Sequence, residues 1–354
     1  MKRLILILLL AISSASALAQ AKFFTGSSLD YVFDNHEFEA SGGAYISSRT
    51  IHFVRVSNTL GWDFSQSDNV SHKLIFGVDM VKQMGAEVDG LKNLVEDVPI
   101  YYNGGFDDGE KVFRAAAGCF PRRFVKGKYS ELMMSEETLE TDFNLDGMYL
   151  SYGKGEFFTE LALDWMGKYG NTSRERFQIL SYGSFGEGSA LSFGWAGSFY
   201  HYAGSVAAPG VVDNHHLQIF GKLDLLSDSA DSEMSVKLSA LVSYQKDRRM
   251  DDLRLPFGGE AEVNLRWKSL WFRNVTAYTG NMLPFFNDLD VAGNKYGDML
   301  YRGSDFYKGF YDLAELFWMP RITRKLDLKV SFRFHFASQG FLGFEQRLAL
   351  FYDI

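Results

Sequence analysis

The segment Leu326 to Ser338, LDLKVSFRFHFAS, alternates apolar and polar side chains almost without a lapse. In a strand, successive side chains project to opposite faces. Leu328, Val330, Phe332, Phe334 and Phe336 therefore share one face, and Asp327, Lys329, Ser331, Arg333 and His335 the other. Other segments repeat the pattern. Ala261, Val263, Leu265 and Trp267 oppose Glu260, Glu262, Asn264 and Arg266. Met234, Val236, Leu238, Ala240, Val242 and Tyr244 oppose Ser235, Lys237, Ser239, Ser243 and Gln245. Leu342, Phe344, Leu348, Leu350, Tyr352 and Ile354 are expected to oppose Glu345, Arg347 and Asp353.

Alternation alone also suits a soluble sheet with one buried face. The number of such segments decides between the two. Strands are predicted at 22–34, 50–64, 71–85, 96–106, 110–120, 142–153, 155–168, 173–185, 189–202, 213–226, 233–246, 259–269, 271–282, 309–320, 325–337 and 342–354. The pairs at 96–120 and 271–320 alternate poorly. A ring of about sixteen strands is too wide for side chains to fill as a dry core. Lipid, for its part, demands that every backbone polar group be paired, which a closed barrel achieves. The reading is all-β: a closed antiparallel transmembrane β-barrel of about sixteen strands, with its apolar face toward hydrocarbon and its polar face toward a wet lumen.

The connections sort by length. One end has brief, turn-rich links such as SQSDNV, DDG, GKG, GEGS and SL, whereas 35–49, 86–95, 121–141, 203–212, 246–258 and 283–308 are long and fall at the other end. Short periplasmic turns and long extracellular loops produce this asymmetry in outer-membrane barrels. The amino terminus agrees with that location. Lys2 and Arg3, the apolar run Leu4 to Ile12 and the Ala17-Leu18-Ala19 site read as a secretory signal over 1–19, leaving 20–354 as the barrel. Cys119 is the only cysteine, so no intramolecular disulfide forms. The formal net charge of -8 argues against nucleic acid as a partner. Outer-membrane lipid, the barrel assembly machinery during biogenesis and a small solute are the expected partners.

Two constellations carry chemistry. Asp164, Lys237, Glu260, Glu262, Arg266, Lys329, Arg333, His335, Glu345 and Arg347 are expected to line the lumen, with Lys168, Arg174, Arg176, Lys222 and Asp224 beside them. An Asp164–Arg176 cross-strand pair is expected as part of a stiffened wet wall. The arginine-rich segments FPRR, NTSRER, KDRR and LYRGSDFY are expected at the outer mouth. There Arg122, Arg123, Arg174, Arg176, Asp247, Arg248, Arg249, Tyr301, Arg302 and Asp305 would either take an acidic ligand or pin the long loops as a lattice. Enzymatic signals are thin. His201 with Ser205 is the nearest approach to a hydrolase dyad. Asp213, His215 and His216 are the nearest to a metal set, although neighbouring histidines on a strand face opposite sides. No enzyme and no cofactor is expected.

AGCFPRRFVKGKYSELMMSEE, LALDWMGKYGNTSRERF, HYAG with VVDN, YQKDRR and KYGDMLYRGSDFYKGFYDLAEL also carry a resemblance. In consistent order over most of the chain, they resemble a functionally uncharacterised family of outer-membrane β-barrel proteins of Bacteroidota-type bacteria. The resemblance implies a barrel and a location but no activity. Cys119 stands where that pattern has a small residue, and Lys308 and Asp312 also depart from it. The final strand, GFEQRLALFYDI, resembles the strand by which assembly machinery captures barrels, with Ile354 in place of a terminal aromatic. The function expected is a porin-like channel for small hydrophilic or acidic solutes; a non-conducting scaffold in an envelope complex and a lipid or glycan hydrolase are the alternatives. With a wet lumen, Phe332→Arg should be costlier than Arg333→Phe.

Overall fold

The computed structural model describes residues 21–39, 48–65, 67–87, 93–229, 231–286, 288, 293 and 303–353. The proposed signal, Tyr301, Arg302 and Ile354 lie outside the described residues. The described residues form a single antiparallel sheet of eighteen segments. The first, β1 (Lys22–Phe38), pairs with both β2 (Arg49–Asp63) and β18 (Gly340–Asp353), so the sheet closes on itself.

Two pairs of segments are single staves interrupted by proline, which leaves sixteen. β4 (Val95–Asp97) and β5 (Ile100–Asp107) flank Pro99, and β13 (Asp252–Arg254) and β14 (Phe257–Trp267) flank Pro256. Proline has no amide hydrogen to give the ladder. Its carbonyl still accepts, so Gly77 donates to Pro99 at 2.7 Å and Ser243 to Pro256 at 2.8 Å, and each stave stays in place through the break. Among the described residues, no helix is long and apolar enough to cross a membrane.

The faces follow the alternation. On β17 (Leu326–Ala337), Phe332 and Phe334 are exposed on the outside, while Arg333 and His335 are buried within. On β12 (Ser232–Asp247), Leu238, Val242 and Tyr244 face out, while Lys237, Ser243 and Gln245 face in. Leu342 corrects the expected pattern on β18. His335 pairs with Gly343 and Phe336 with Phe341, so Leu342 is the extra residue of a bulge and its side chain turns into the barrel.

The first strand also runs on to Phe38. Asn35 to Phe38, expected as loop, pair with Gly343 to Gln346 and carry His36 and Phe38 to the inner face.

Two loops pack inside the barrel against its wall, which departs from the open wet lumen expected from strand count. The connection after β6 (Lys111–Pro121) does not cap the mouth. It folds back inside the barrel over 122–143 before joining β7 (Asn144–Lys154). Phe124, Val125, Tyr129 and Met134 pack there against the wall residues Tyr101, Phe120, Leu145, Tyr149 and Leu180. Part of the connection after β15 (Leu270–Thr279) enters as well. Met282, Leu283, Phe285, Phe306 and Tyr307 form a second apolar mass with Leu132 of the first loop and Tyr200, Leu241, Val275, Tyr311 and Leu313 of the wall.

These two masses explain why the alternation fails at 96–120 and 271–320. The inner faces there meet folded loop, and apolar side chains such as Tyr101, Phe120, Val275 and Leu313 stand on them where a wet wall would carry polar ones. On β15 and β16 (Gly309–Trp318) the apolar outer face, with Phe272, Leu316 and Trp318, is broken by one polar cluster: Asn274 and Thr276 donate to Asp312 at 3.0 and 2.5 Å.

Candidate functional site

The first turn after β6 sets the root of the infolded loop. Arg122 is 3% exposed and lies inside the barrel, not at the outer mouth where it was expected. Its guanidinium donates to the Asp142 and Asn144 carbonyls and pairs at 2.7 Å with both Asp142 and Asp164. Asp164 therefore pairs with Arg122 and not with Arg176, whose guanidinium instead donates to the Met166 carbonyl. One turn further on, buried Glu160 accepts from the Lys126 and Gly127 amides at 2.8 Å and from the Tyr129 and Tyr149 hydroxyls at 3.1 Å. Gly127 is required there, because a Cβ would run into Tyr182 and the Glu160 carboxylate.

The loop then crosses the lumen. Ser130 and Tyr307 both donate to Glu260 at 2.6 Å, joining the two infolded loops to β14. The Ser304 amide donates to the Glu131 carbonyl at 2.7 Å. At Gly303 a Cβ would collide with the Leu132 carbonyl, so only glycine lets the two loops touch.

Past Ser130 the loop presents a run of carboxylates to a ladder of wall cations. Glu131 meets Arg333 at 2.6 Å and Arg273 at 2.9 Å. Glu136 opens the short helix α1 (Glu136–Thr141), capped by Ser135, and meets Lys329 at 2.9 Å as well as Arg347. Glu140 meets Arg347 at 2.8 Å. From the wall, Glu345 pairs with Arg333 and Asp34 with Arg347, each at 2.7 Å, while Glu315 pairs with Lys329 at 2.8 Å. Lys237 and Glu262, 2.8 Å apart, continue the ladder.

Burial would raise the loop carboxylates, but for two of them the cations win. Arg333 and Arg273 hold Glu131 below the usual range, and Arg347, Lys329 and Arg333 hold Glu136 well below it. For Glu140 burial wins, and its carboxyl is pushed up to about 8 against the pull of Arg347.

The side chains expected to line the lumen thus all lie on the inner face: Asp164, Lys237, Glu260, Glu262, Arg266, Lys329, Arg333, His335, Glu345 and Arg347. Asp164, Glu260, Lys329, Arg333, Glu345 and Arg347 meet the infolded loop or its neighbours, Lys237 pairs with Glu262 and Arg266 with Glu233 on the wall, and a cavity of about 80 Å3 lies between Lys128, Glu187, Lys222, Asp224 and Lys237, near the short-turn end. That volume holds only a few water molecules. Lys168 lies exposed beyond the end of β8 (Phe157–Gly167).

The remaining mouth residues do not converge. Arg123 is 3.7 Å from Asp353, Arg174 lies over the Tyr202 ring, Arg248 grips Asp213 at 2.6 and 3.0 Å, Arg249 grips Asp247, and Asp305 is buried. These side chains form separate local ties between loops and rim.

The catalytic and metal signals disperse similarly. His201 meets Asp213 on the outer side, while Ser205 accepts from the Ala208 amide. His215 stacks on Tyr244 outside, and His216 meets Ser243 within. A different triad comes together at the barrel seam: Asp34, His36 and Glu345, all buried. Its only local signal is the Asp-x-His spacing in DNH, which puts both side chains on one strand face. The third member is supplied by barrel closure.

A closed transmembrane barrel of sixteen staves with an infolded loop pinned to its inner wall is the class that fold and lumen define. Its fold is shared with outer-membrane proteins of known structure. Against the outer membrane channel DcaP of Acinetobacter baumannii the TM-score is 0.50 at 11% identity, covering 95% of this chain and 98% of that one. Against Pseudomonas putida OprB it is 0.52 at 9% identity, covering 97% and 96%. Against a loop L8 deletion mutant of OmpT, an outer membrane protein of Vibrio cholerae, it is 0.51 at 10% identity, covering 95% and 100%. No protein-family model and no curated protein sequence matches the chain.

Proposed function

We propose that this chain is an outer-membrane, porin-like barrel in which loop 122–143 narrows the lumen to a small hydrophilic passage, with the long loops outside and the short turns in the periplasm. The observation that carries this reading is the seating of Glu131, Glu136 and Glu140 against Arg273, Lys329, Arg333 and Arg347 inside the wall. A loop held by ion pairs across the lumen sets the width of the route and places fixed charge along it. Fixed charge at a constriction passes small hydrophilic solutes and slows apolar ones.

Arg122, Arg248 and Arg249 are each engaged by a carboxylate, which favours small neutral or cationic solutes over acidic ones. The order of motifs shared with the uncharacterised Bacteroidota-type barrels supports the same location. Signal removal and capture by the assembly machinery belong to this reading too.

A second reading, a non-conducting barrel serving as scaffold, draws on the apolar seating of Leu132, Met133 and Met134, each 5% exposed or less. Planar-bilayer recording separates the two. The channel reading expects small, steady single-channel steps from the wild type and several-fold larger ones from Arg333→Gln with Arg347→Gln, in which the clamp is weakened. Silence from both proteins, each confirmed as folded by heat-modified gel mobility, overturns the channel and favours the scaffold.

A further inference from the structure

We propose that Asp34, His36 and Glu345 bind one borderline divalent cation, of the zinc or manganese type, across the seam where the first and last strands close the barrel. The site stands whether or not the barrel conducts.

The register builds it. His36 lies directly opposite Glu345 on the β1–β18 ladder, and Asp34, two residues back, shares the face of His36. The three donor atoms all lie within 4.8 Å of one another. Exposure is 0% for Asp34, 3% for His36 and 5% for Glu345, so water does not compete for these positions.

Their hydrogen bonding is incomplete in the direction of the site. Neither ring nitrogen of His36 has a hydrogen-bond partner, although its Nε2 stands 2.9 Å from Asp34 Oδ2. Asp34 Oδ1 has none either. A buried imidazole with no well-formed hydrogen bond, in polar contact only with a carboxylate oxygen, is rare in a folded protein. One whose nitrogen sits among two carboxylates has the arrangement of a metal ligand. His335 extends the set: its Nδ1 meets the Tyr311 hydroxyl at 2.9 Å, which leaves Nε2 facing Glu345 at 3.3 Å.

Charge points the same way. With Lys237 and Glu262 set aside as a pair and Glu140 holding its proton, the clamp still opposes five carboxylates (Asp34, Glu131, Glu136, Glu315 and Glu345) with four cations (Arg273, Lys329, Arg333 and Arg347). A divalent cation supplies the missing charge. Imidazole with carboxylates suits zinc, manganese or iron, whereas calcium needs more oxygen ligands than this set offers. Bound here, the ion ties β1 to β18 and so fastens the barrel closed next to the loop clamp.

The test uses the full mature barrel in detergent, stripped with chelator, dialysed, and titrated with Zn2+ alone and with Co2+ alone. One equivalent of Zn2+ is expected to bind and to raise the thermal midpoint, with affinity at least tenfold weaker in His36→Gln and unchanged in His72→Gln, a variant of an exposed histidine elsewhere. Equal binding by wild type and His36→Gln, both folded by gel mobility, overturns the proposal. Should His36→Gln fail to assemble, the wild type decides alone: Co2+ must bind one to one with an absorption band that Zn2+ abolishes, and its absence overturns the site.

Discussion

Arg333→Met tests the clamp where its energetics are largest. The Arg333 guanidinium donates to both oxygens of Glu131 at 2.6 and 2.7 Å and to Glu345 at 2.7 Å, and the residue is 3% exposed. Methionine fills similar volume but leaves two buried carboxylates without their main counter-charge. Removing one partner of a buried pair costs about 3–5 kcal/mol, most of it the penalty of the stranded charge. Urea unfolding of the folded barrel in detergent, followed by tryptophan fluorescence, reads that loss. Adding Glu131→Gln removes one stranded charge, so the double variant should recover part of it, with a coupling of at least about 1 kcal/mol. A loss under about 1 kcal/mol for Arg333→Met, or no coupling, would refute a dry clamp. The margin that alternation alone suggests should therefore narrow. Arg333→Phe was expected to be milder than Phe332→Arg because a wet wall tolerates lost charge, yet Arg333 faces loop carboxylates and not water.

Other variants probe separate parts of the account. Phe332→Arg places a charge on the exposed outer face and should cost about 2–4 kcal/mol in the same unfolding assay. Gly303→Ala should cost about 1–3 kcal/mol, because its methyl group meets the Leu132 carbonyl where the two infolded loops touch. Glu140 titrates at about 8 in the folded barrel against an ordinary value of 4.5, so the proton it retains favours folding fully below 4.5. That contribution is lost as pH rises to about 8, and the decline should vanish in Glu140→Gln. Glu131 and Glu136, held low, act oppositely: their contribution is present above about 4.5 and is lost as pH falls through their lowered folded values. A midpoint measured across pH should therefore fall off on both sides.

The staves were legible because lipid imposes a strict two-residue period on whatever faces it. Phe332 and Phe334 outside and Arg333 inside follow from that alone. The sorting of long and short connections was legible for the same reason, since every second turn lies at the same end. The destination of a long loop was not. The sequence MMSEETLE carries three glutamates and two methionines, a composition that suits an exposed loop as well as one seated in a lumen. What decides between them is the placing of Arg273, Lys329, Arg333 and Arg347 within four successive staves, a pattern that exists only once the registers are fixed. Arg122 misled for a related reason. Its dipeptide partner Arg123 is largely exposed, and nothing local distinguishes the two until Asp142 and Asp164 close around the first. The seam triad joins residues more than three hundred positions apart, so barrel closure alone creates it.

Thiol accessibility of loop 122–143 tests the central claim most directly. In a Cys119→Ser background, Met133→Cys places a thiol at a position that is 1% exposed, and Met250→Cys places one at a position that is 75% exposed. With the folded barrel and a bulky, charged maleimide, Met250→Cys should label readily, while Met133→Cys should react only after unfolding. Equal labelling of both in the folded state would put the loop outside the lumen and contradict the clamp.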